Sequence, residues 1–293
     1  MTAAKRSWDR KAYLYILPTL AVIVLVFLFP LVQNARYSLL EMGQKGRPYS
    51  GMRNYGLLLS DDTFWISLRN NGLLILLVPL LVAVSLVFSV LLFQRIRGWK
   101  FYRGVVLFPY ITSITAIGLF YSLFFQGQGM LNTFLERIGL GFLTVDWLGN
   151  KGWALAAVMF VVLWREFGFG TILFLARLMT VEEDIFDAAR IDGAGWWRRM
   201  FAIVIPRLAT VIEFYVFLMV VTMLSWVFNY VFVITLGGPA RSTYVTEYYI
   251  FMQSFKLNRM GVASALSIIL FLVTAALAFL SFRFRKRLYG EYE

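Results

Sequence analysis

The sequence predicts an all-α polytopic membrane protein with six transmembrane helices. Three observations lead there. Of the 293 residues, 60% are hydrophobic and 15% charged, where a soluble domain carries roughly a quarter charged residues. The apolar residues gather into runs close to the ~20 residues that a helix needs to cross the hydrocarbon core. The runs lack the alternation over about ten residues that marks a membrane β-barrel, so helices, which satisfy their own backbone groups, are the form that lipid permits.

The first run extends from about Ala12 to Val32, after a tail of residues 1–11. It is long, contains Pro18 and Pro30, and has no clear small-x-small cleavage site behind it, so it is read as a retained span rather than a signal peptide. The second run covers Gly72 to Phe93, the third Gly104 to Phe125 and the fourth Trp153 to Phe174. The fifth, Leu208 to Thr235, is long enough to tilt or break, and the sixth covers Val262 to Phe282. Together they make one transmembrane domain over residues 1–293, with a long loop at about 176–207.

The sequence has no Cys and no His, which rules out disulfides, thiolate metal sites and a histidine base. Metal-binding, catalytic and cofactor-binding residues are therefore expected to be none. The net charge of +12 does not point to nucleic acid, because the bases sit at the ends of apolar runs. Lys5, Arg6, Arg10 and Lys11 precede the first run, Arg95, Arg97, Lys100 and Arg103 follow the second, and Arg283, Arg285, Lys286 and Arg287 follow the sixth. With Arg177, Arg190, Arg198, Arg199 and Arg207 of the long loop, these outnumber the bases on the other side. The bias predicts both termini in the cytoplasm.

The long loop reads "MTVEEDIFDAARIDGAGWWRRMFAIVIPRL". Thr180 and Glu183 have capping-box spacing, which predicts a helix from Val181. Glu182, Glu183 and Asp184 occupy its first turn, where acids suit the dipole. Ile185, Ala188 and Ala189 share a face, and Gly193 is the stop. A second amphipathic helix is expected, with Trp197, Met200, Phe201 and Val204 on one face and Pro206 marking the fifth span. The small residues at the bend let another surface come close; a helix lying on the lipid surface is the alternative.

Polar groups inside spans are costly and often functional. Arg165 and Glu166 stand near the middle of the fourth run, Glu213 near the start of the fifth, and Ser225, Asn229 and Tyr230 deeper in it. Trp164, Trp226 and Tyr230 offer aromatic faces on which a ring could stack, and Asn229 offers a polar side chain within the run. The plain alternatives are that Arg165 pairs within the bundle or satisfies carbonyls of a broken helix, and that the aromatics are interface anchors.

"DAARIDGAGWWRRMFAIVIP" resembles the signature loop of the inner-membrane permease subunits of ABC importers, whose pattern is Glu-Ala-Ala, three residues, Gly, nine residues, Ile-x-Leu-Pro. Asp187, Ala188 and Ala189 match the first block, with Asp for Glu; Gly193, Ile203 and Pro206 have the family spacing, and Ile205 stands for Leu. "RGVVLFPY" at Arg103–Tyr110, "GMLN" at Gly129–Asn132, "DWL" at Asp146–Leu148 and "WREFGFGTILFLARL" with Trp164, Gly168 and Phe169 also resemble the family. "TLGGP" at Thr235–Pro239 resembles an element of the maltose-type and glycerol-phosphate-type subunits. Each motif is short; their order and spacing together carry the likeness over most of the chain.

The resemblance implies a type I importer permease fold in a prokaryotic cytoplasmic membrane, carrying a sugar or related small polar solute. It implies a second, homologous permease in a heterodimer, two cytoplasmic ABC ATPase subunits, and an extracytoplasmic substrate-binding protein. Asp187, Ala188, Ala189 and Gly193 would dock on the ATPase. Trp164, Arg165, Glu166, Ser225, Trp226, Asn229 and Tyr230 are candidates for the solute path. The chain has no Gly-rich Lys-Ser/Thr phosphate loop, so ATP and Mg would be used by the partner and the chain itself would not be an enzyme. A permease for a non-sugar solute and an ion-coupled secondary transporter are the alternatives; inverted repeats, which favour the latter, are not visible.

Overall fold

The computed structural model describes residues 15–41 and 48–289. The bases Lys5, Arg6, Arg10, Lys11, Lys45 and Arg47, and the start of the first run at Ala12, lie outside the described residues. The fold is helical; a single antiparallel bridge, Leu40 with Tyr49, is the β pairing among the described residues. Among the described residues, five helices are long and apolar enough to cross a membrane, and the count is six where a bent pair is taken as one span. This is a multi-pass membrane architecture.

The chain divides into two compact units. The first holds the residues up to Asp61 together with Ile250–Val273. Its first helix, α1 (Tyr15–Ser38), exposes every residue from Tyr15 to Pro30. In water such a surface would be untenable; here it meets lipid or another chain. A short helix, α2 (Arg53–Leu59), is tied back to the end of α1 by buried Asn54, whose Nδ2 donates to the carbonyls of Ser38 (2.8 Å) and Leu40 (3.0 Å).

The second unit holds Asp62–Tyr249 and the residues from Thr274 onward. Its helices are α3 (Asp62–Phe93), α4 (Trp99–Ile111), α5 (Ile114–Phe124), α6 (Met130–Arg137), α7 (Lys151–Leu178), α8 (Glu183–Ile191), α9 (Trp196–Ser225) and α10 (Phe228–Ile234). Two helices cross the boundary between units, α11 (Thr246–Phe251) and α12 (Met260–Tyr289). Around α7 pack α3, α4, α9 and α10, burying Leu81, Val158, Val161, Val162, Phe174 and Leu208 completely. Asn150 starts α7 by accepting from the Gly152 amide at 2.9 Å, satisfying one of the free donors of a helix start. At Gly168 a side chain would strike the Val106 carbonyl of α4, so glycine permits these two backbones to touch.

Two spans depart from straight helices. The third is α4 followed by α5 at 94°. Pro109 lies inside α4, and Thr112 beyond it is extended at ψ 145°. Proline removes one helical donor and crowds the preceding turn, and the bend follows within three residues. The fifth span is displaced from its expected bounds of Leu208–Thr235. It begins at Trp196, after Gly195 in extended backbone at ψ 168°, and breaks at Trp226 and Val227 before α10. A π-helical turn at Met200–Val204 absorbs Pro206, which cannot donate into the turn before it.

The separate second amphipathic helix of the loop is therefore corrected: it is the first part of α9. Its residues also split between two faces. Met200 and Val204 are buried, whereas Trp197 and Phe201 are exposed and stack at 6.2 Å, because the π turn offsets the register.

Candidate functional site

The signature loop folds as a helix, α8, and a glycine turn. The expected capping box does not form. Thr180 is used by the preceding helix instead: its Oγ1 donates to the Arg177 carbonyl at 2.8 Å and accepts from Arg177 Nη1 at 2.8 Å. The helix consequently starts two residues later than expected, at Glu183, with Glu182 as its N-cap and no side-chain capping bond. Gly193 is left-handed at φ +69° with open space where a side chain would project, a conformation that costs other residues dearly.

Asp187, Ala188, Ile191 and Gly193 are exposed and Ala189 half-buried. Asp187 accepts from Arg190 Nη1 at 2.8 Å. The attachment of α8 to the spans runs through Phe186, whose ring lies 5.2 Å from that of Phe93 at the end of α3. Beneath them is a cavity of about 170 Å³ lined also by Arg95 and Arg199, and Arg199 Nε is buried with no hydrogen-bond partner among the described residues. The loop is thus a small, largely exposed knob, with the Phe186 ring against Phe93 among its contacts with the spans.

The second cluster lies in the spans. Arg165 Nη1 donates to Glu166 Oε1 at 2.7 Å and to Tyr230 Oη at 3.3 Å; Tyr230 donates to the same Glu166 oxygen at 2.6 Å. Arg165 Nη2 donates to the Tyr110 carbonyl at 3.0 Å, and its guanidinium lies 5.1 Å from the centre of the Tyr110 ring. Tyr215, fully buried, donates to the Glu166 carbonyl at 3.1 Å. Only 13% of the Arg165 side chain and 6% of the Glu166 side chain are exposed, so each charge depends on the other. The pair joins the end of α4, next to the bend of the third span, to α10, beyond the break of the fifth.

Of the expected path residues, Arg165, Glu166 and Tyr230 are therefore brought together. Trp164 turns elsewhere and packs edge-on to Tyr121 at 5.4 Å. Ser225 and Asn229 are half-buried and Trp226 is 61% exposed; the structure gives them no bond to the Arg165 cluster.

Sequence reasoning missed the residues that make the fifth-span break tolerable. Asn71 Nδ2 donates to the Met223 carbonyl at 2.7 Å, which the break leaves without a helical donor, and Asn71 Oδ1 accepts from Thr246 N and Oγ1 at 2.8 Å. On the other side of the break, Glu247 Oε2 accepts from the Phe228 amide at 2.9 Å. Burial pushes the Glu247 carboxyl up to about 7, against the pull of the Phe228 and Val227 amides. Asn70 holds the neighbouring turn through the carbonyls of Ser242 (2.7 Å) and Tyr244 (2.8 Å). The signal was present: two asparagines at the edge of an apolar run, and one acid after the glycine-proline turn. Among the described residues, no three His, Cys, Asp or Glu converge on a possible metal position.

Two of the short sequence motifs meet in space. Asn132 of "GMLN" donates to the carbonyls of Gly127 (2.9 Å) and Val145 (2.8 Å) and accepts from Trp147 Nε1 of "DWL" at 2.8 Å. They pin the loop between α5 and α7.

No protein-family model matches the chain. It is 30% identical over 280 residues to the probable ABC transporter permease protein YurN of Bacillus subtilis, covering 94% of this chain and 95% of that one. It is 31% identical over 295 residues to the diacetylchitobiose uptake system permease protein NgcF of Streptomyces coelicolor, covering 95% of this chain and 83% of that one. Among solved structures, a chain of a bacterial ABC transporter involved in import of the acidic polysaccharide alginate shares the fold, with a TM-score of 0.83, 20% identity, and coverage of 97% of this chain and 96% of that one.

Proposed function

The chain belongs to the permease subunits of ABC transporters, and from that premise we propose that it forms the membrane pathway of an ATP-driven importer for a sugar or oligosaccharide. The carbohydrate reading is supported by the relatives, among them the diacetylchitobiose uptake permease. The observation that carries the mechanism is the exposed knob of Asp187, Ala188, Ala189 and left-handed Gly193. A short, largely exposed helix can be gripped by a partner and moved, and α8 is followed after Gly193 and Gly195 by α9, a span of the second unit. ATPase closure would reach the spans by that route.

Two ABC ATPases would hydrolyse the ATP, with Mg, in the cytoplasm. A second permease would complete the pathway as a heterodimer, and an extracytoplasmic binding protein would deliver the solute. The whole chain would act as one transmembrane domain with both termini in the cytoplasm. Along the path, Arg165, Glu166 and Tyr230 form a polar centre, while Trp164, which packs on Tyr121, has no contact with it; Ser225, Trp226 and Asn229 are the remaining candidates to meet the solute. Each half-buried polar group there can exchange a bond with water for one with a hydroxyl.

The test is reconstitution of this chain with its partner permease and ATPase in vesicles, with the cognate binding protein outside. Sugar-stimulated ATP hydrolysis and sugar uptake are expected together. Uptake driven by an ion gradient without ATP, or a binding protein that holds a metal or an amino acid tightly, would overturn the reading.

A further inference from the structure

A groove of about 620 Å³ lies along α4, lined by Phe88 of α3, Phe101, Gly104, Val105 and Phe108 of α4, and Trp164 of α7, with Lys100 at one end and Pro109 at the other. Its volume is that of a site for a sizeable ligand. Its wall is mostly apolar, and Phe101, Val105 and Phe108 are at least half exposed. A sugar finds few hydrogen-bond partners there. From Lys100 to Pro109 is nine helical steps, or about 13 Å at ~1.5 Å per residue. That is close to the depth of one leaflet, half of a ~30 Å hydrocarbon core.

The end of the groove is basic. Lys100 lines it, and Arg97 and Arg103 stand within one turn in sequence. None of the three is in an ion pair among the described residues. The Lys100 ammonium lies 5.9 Å from the Trp99 ring, and its stem can follow the apolar wall while the charge stays at the interface. Basic positions beside a gap between spans are where anionic lipid headgroups are held.

We infer that this groove is a binding site for one anionic phospholipid of the inner leaflet, with an acyl chain between α3, α4 and α7 and its phosphate at Lys100. The inference rests on the proposed orientation, in which the α3–α4 connection is cytoplasmic. An apolar helix of a partner would fill the groove but would leave Lys100 at its end without counter-charge.

Gly104 allows a direct test. A side chain there meets no protein atom within 4 Å, so Gly104→Phe fills the groove rather than straining the helix. The complete transporter, with partner permease and ATPases, is exchanged into detergent micelles containing added phosphatidylglycerol and examined by native mass spectrometry. One retained phosphatidylglycerol per copy of this chain is expected. Lys100→Gln should lower its retention about fivefold, the fold-change of losing one basic contact near the membrane surface, and Gly104→Phe should abolish it. Equal retention of phosphatidylcholine, or unchanged retention in Lys100→Gln, would overturn the site; so would photo-crosslinks from residue 105 to a protein chain instead of lipid. If Gly104→Phe does not assemble, Lys100→Gln and the crosslink still decide. The lipid count is independent of which way the chain is inserted, so failure of the orientation and failure of the site give different results.

Discussion

The guanidinium of Arg165 donates to the backbone carbonyl of Tyr110 at 3.0 Å, next to the 94° bend of the third span. A bend frees carbonyls that lipid cannot satisfy, and a charge placed among the spans answers one of them. Removing that charge leaves Glu166 buried and unpaired. Arg165→Met is expected to cost about 3–5 kcal/mol, read as a lower unfolding midpoint in detergent and a reduced amount of chain in the membrane. Adding Glu166→Gln should recover part of the loss. Equal midpoints for wild type and Arg165→Met would sink the assignment.

At the signature-loop knob, Gly193→Leu places a side chain at φ +69° and a bulky group on the exposed surface. It should abolish sugar-stimulated ATP hydrolysis and co-purification of the ATPase while leaving membrane insertion intact. Asp187→Ala should weaken both less. Its carboxylate is 61% exposed and already paired with Arg190, and such pairs are worth under about 1 kcal/mol unless a partner covers them. Unmutated behaviour in Gly193→Leu would return α8 to the role of an interfacial helix.

The Asn132–Trp147 bond predicts a structural phenotype. Asn132→Ala removes a buried side chain that makes three hydrogen bonds and leaves carbonyls without donors, a loss of about 2–3 kcal/mol. Protease cleavage within residues 126–150 should accelerate. Asn132→Asp cannot replace the amide donors and should not rescue; a protease-resistant Asn132→Ala would refute the pin.

Glu247 predicts a pH dependence. Its carboxyl titrates near 7 in the fold, above its ordinary value of 4.5, so the folded chain binds more protons than the unfolded chain between these values. Stability from this group is fully present below about pH 4.5 and is lost as pH rises through about 7, by roughly 3–4 kcal/mol at most. Glu247→Gln should flatten that segment of the curve of unfolding midpoint against pH and raise the midpoint at pH 8. An identical slope in both proteins would reject the assignment.

Topology is tested by reporter tags at Lys5 and Tyr292. Both should give the cytoplasmic signal; one tag outside would break the six-span arrangement.

The spans were legible because lipid imposes one rule on every residue in a run, and Gly193 was legible because glycine takes a left-handed backbone at least cost, although Arg95 and Leu236 adopt one too. The bend after Pro109 was not: the proline is visible, but many membrane prolines only kink a helix, and the angle depends on α7 arriving with Arg165. Thr180 fitted a capping box as well as it fitted Arg177, and only the length of α7, which runs on to Leu178, decides between them. The face of Trp197, Met200, Phe201 and Val204 was misassigned because a π turn adds to the helical period that the spacing assumed. Asn71 and Glu247 act on a break whose position, Trp226–Val227, no local signal marks.

The touching backbones at Gly168 and Val106 have a mechanical consequence. Side chains between helices act as lubricant: they change rotamer and let one helix slide past another. Where main chain meets main chain there is nothing to rearrange, so α4 and α7 travel together as one strut. Displacement delivered to that strut would be taken up where helix is interrupted, at the extended Thr112 and the Trp226–Val227 break, and α5 and α10 beyond them, packed on each other where Gly118 meets Val233, would be carried along as a pair.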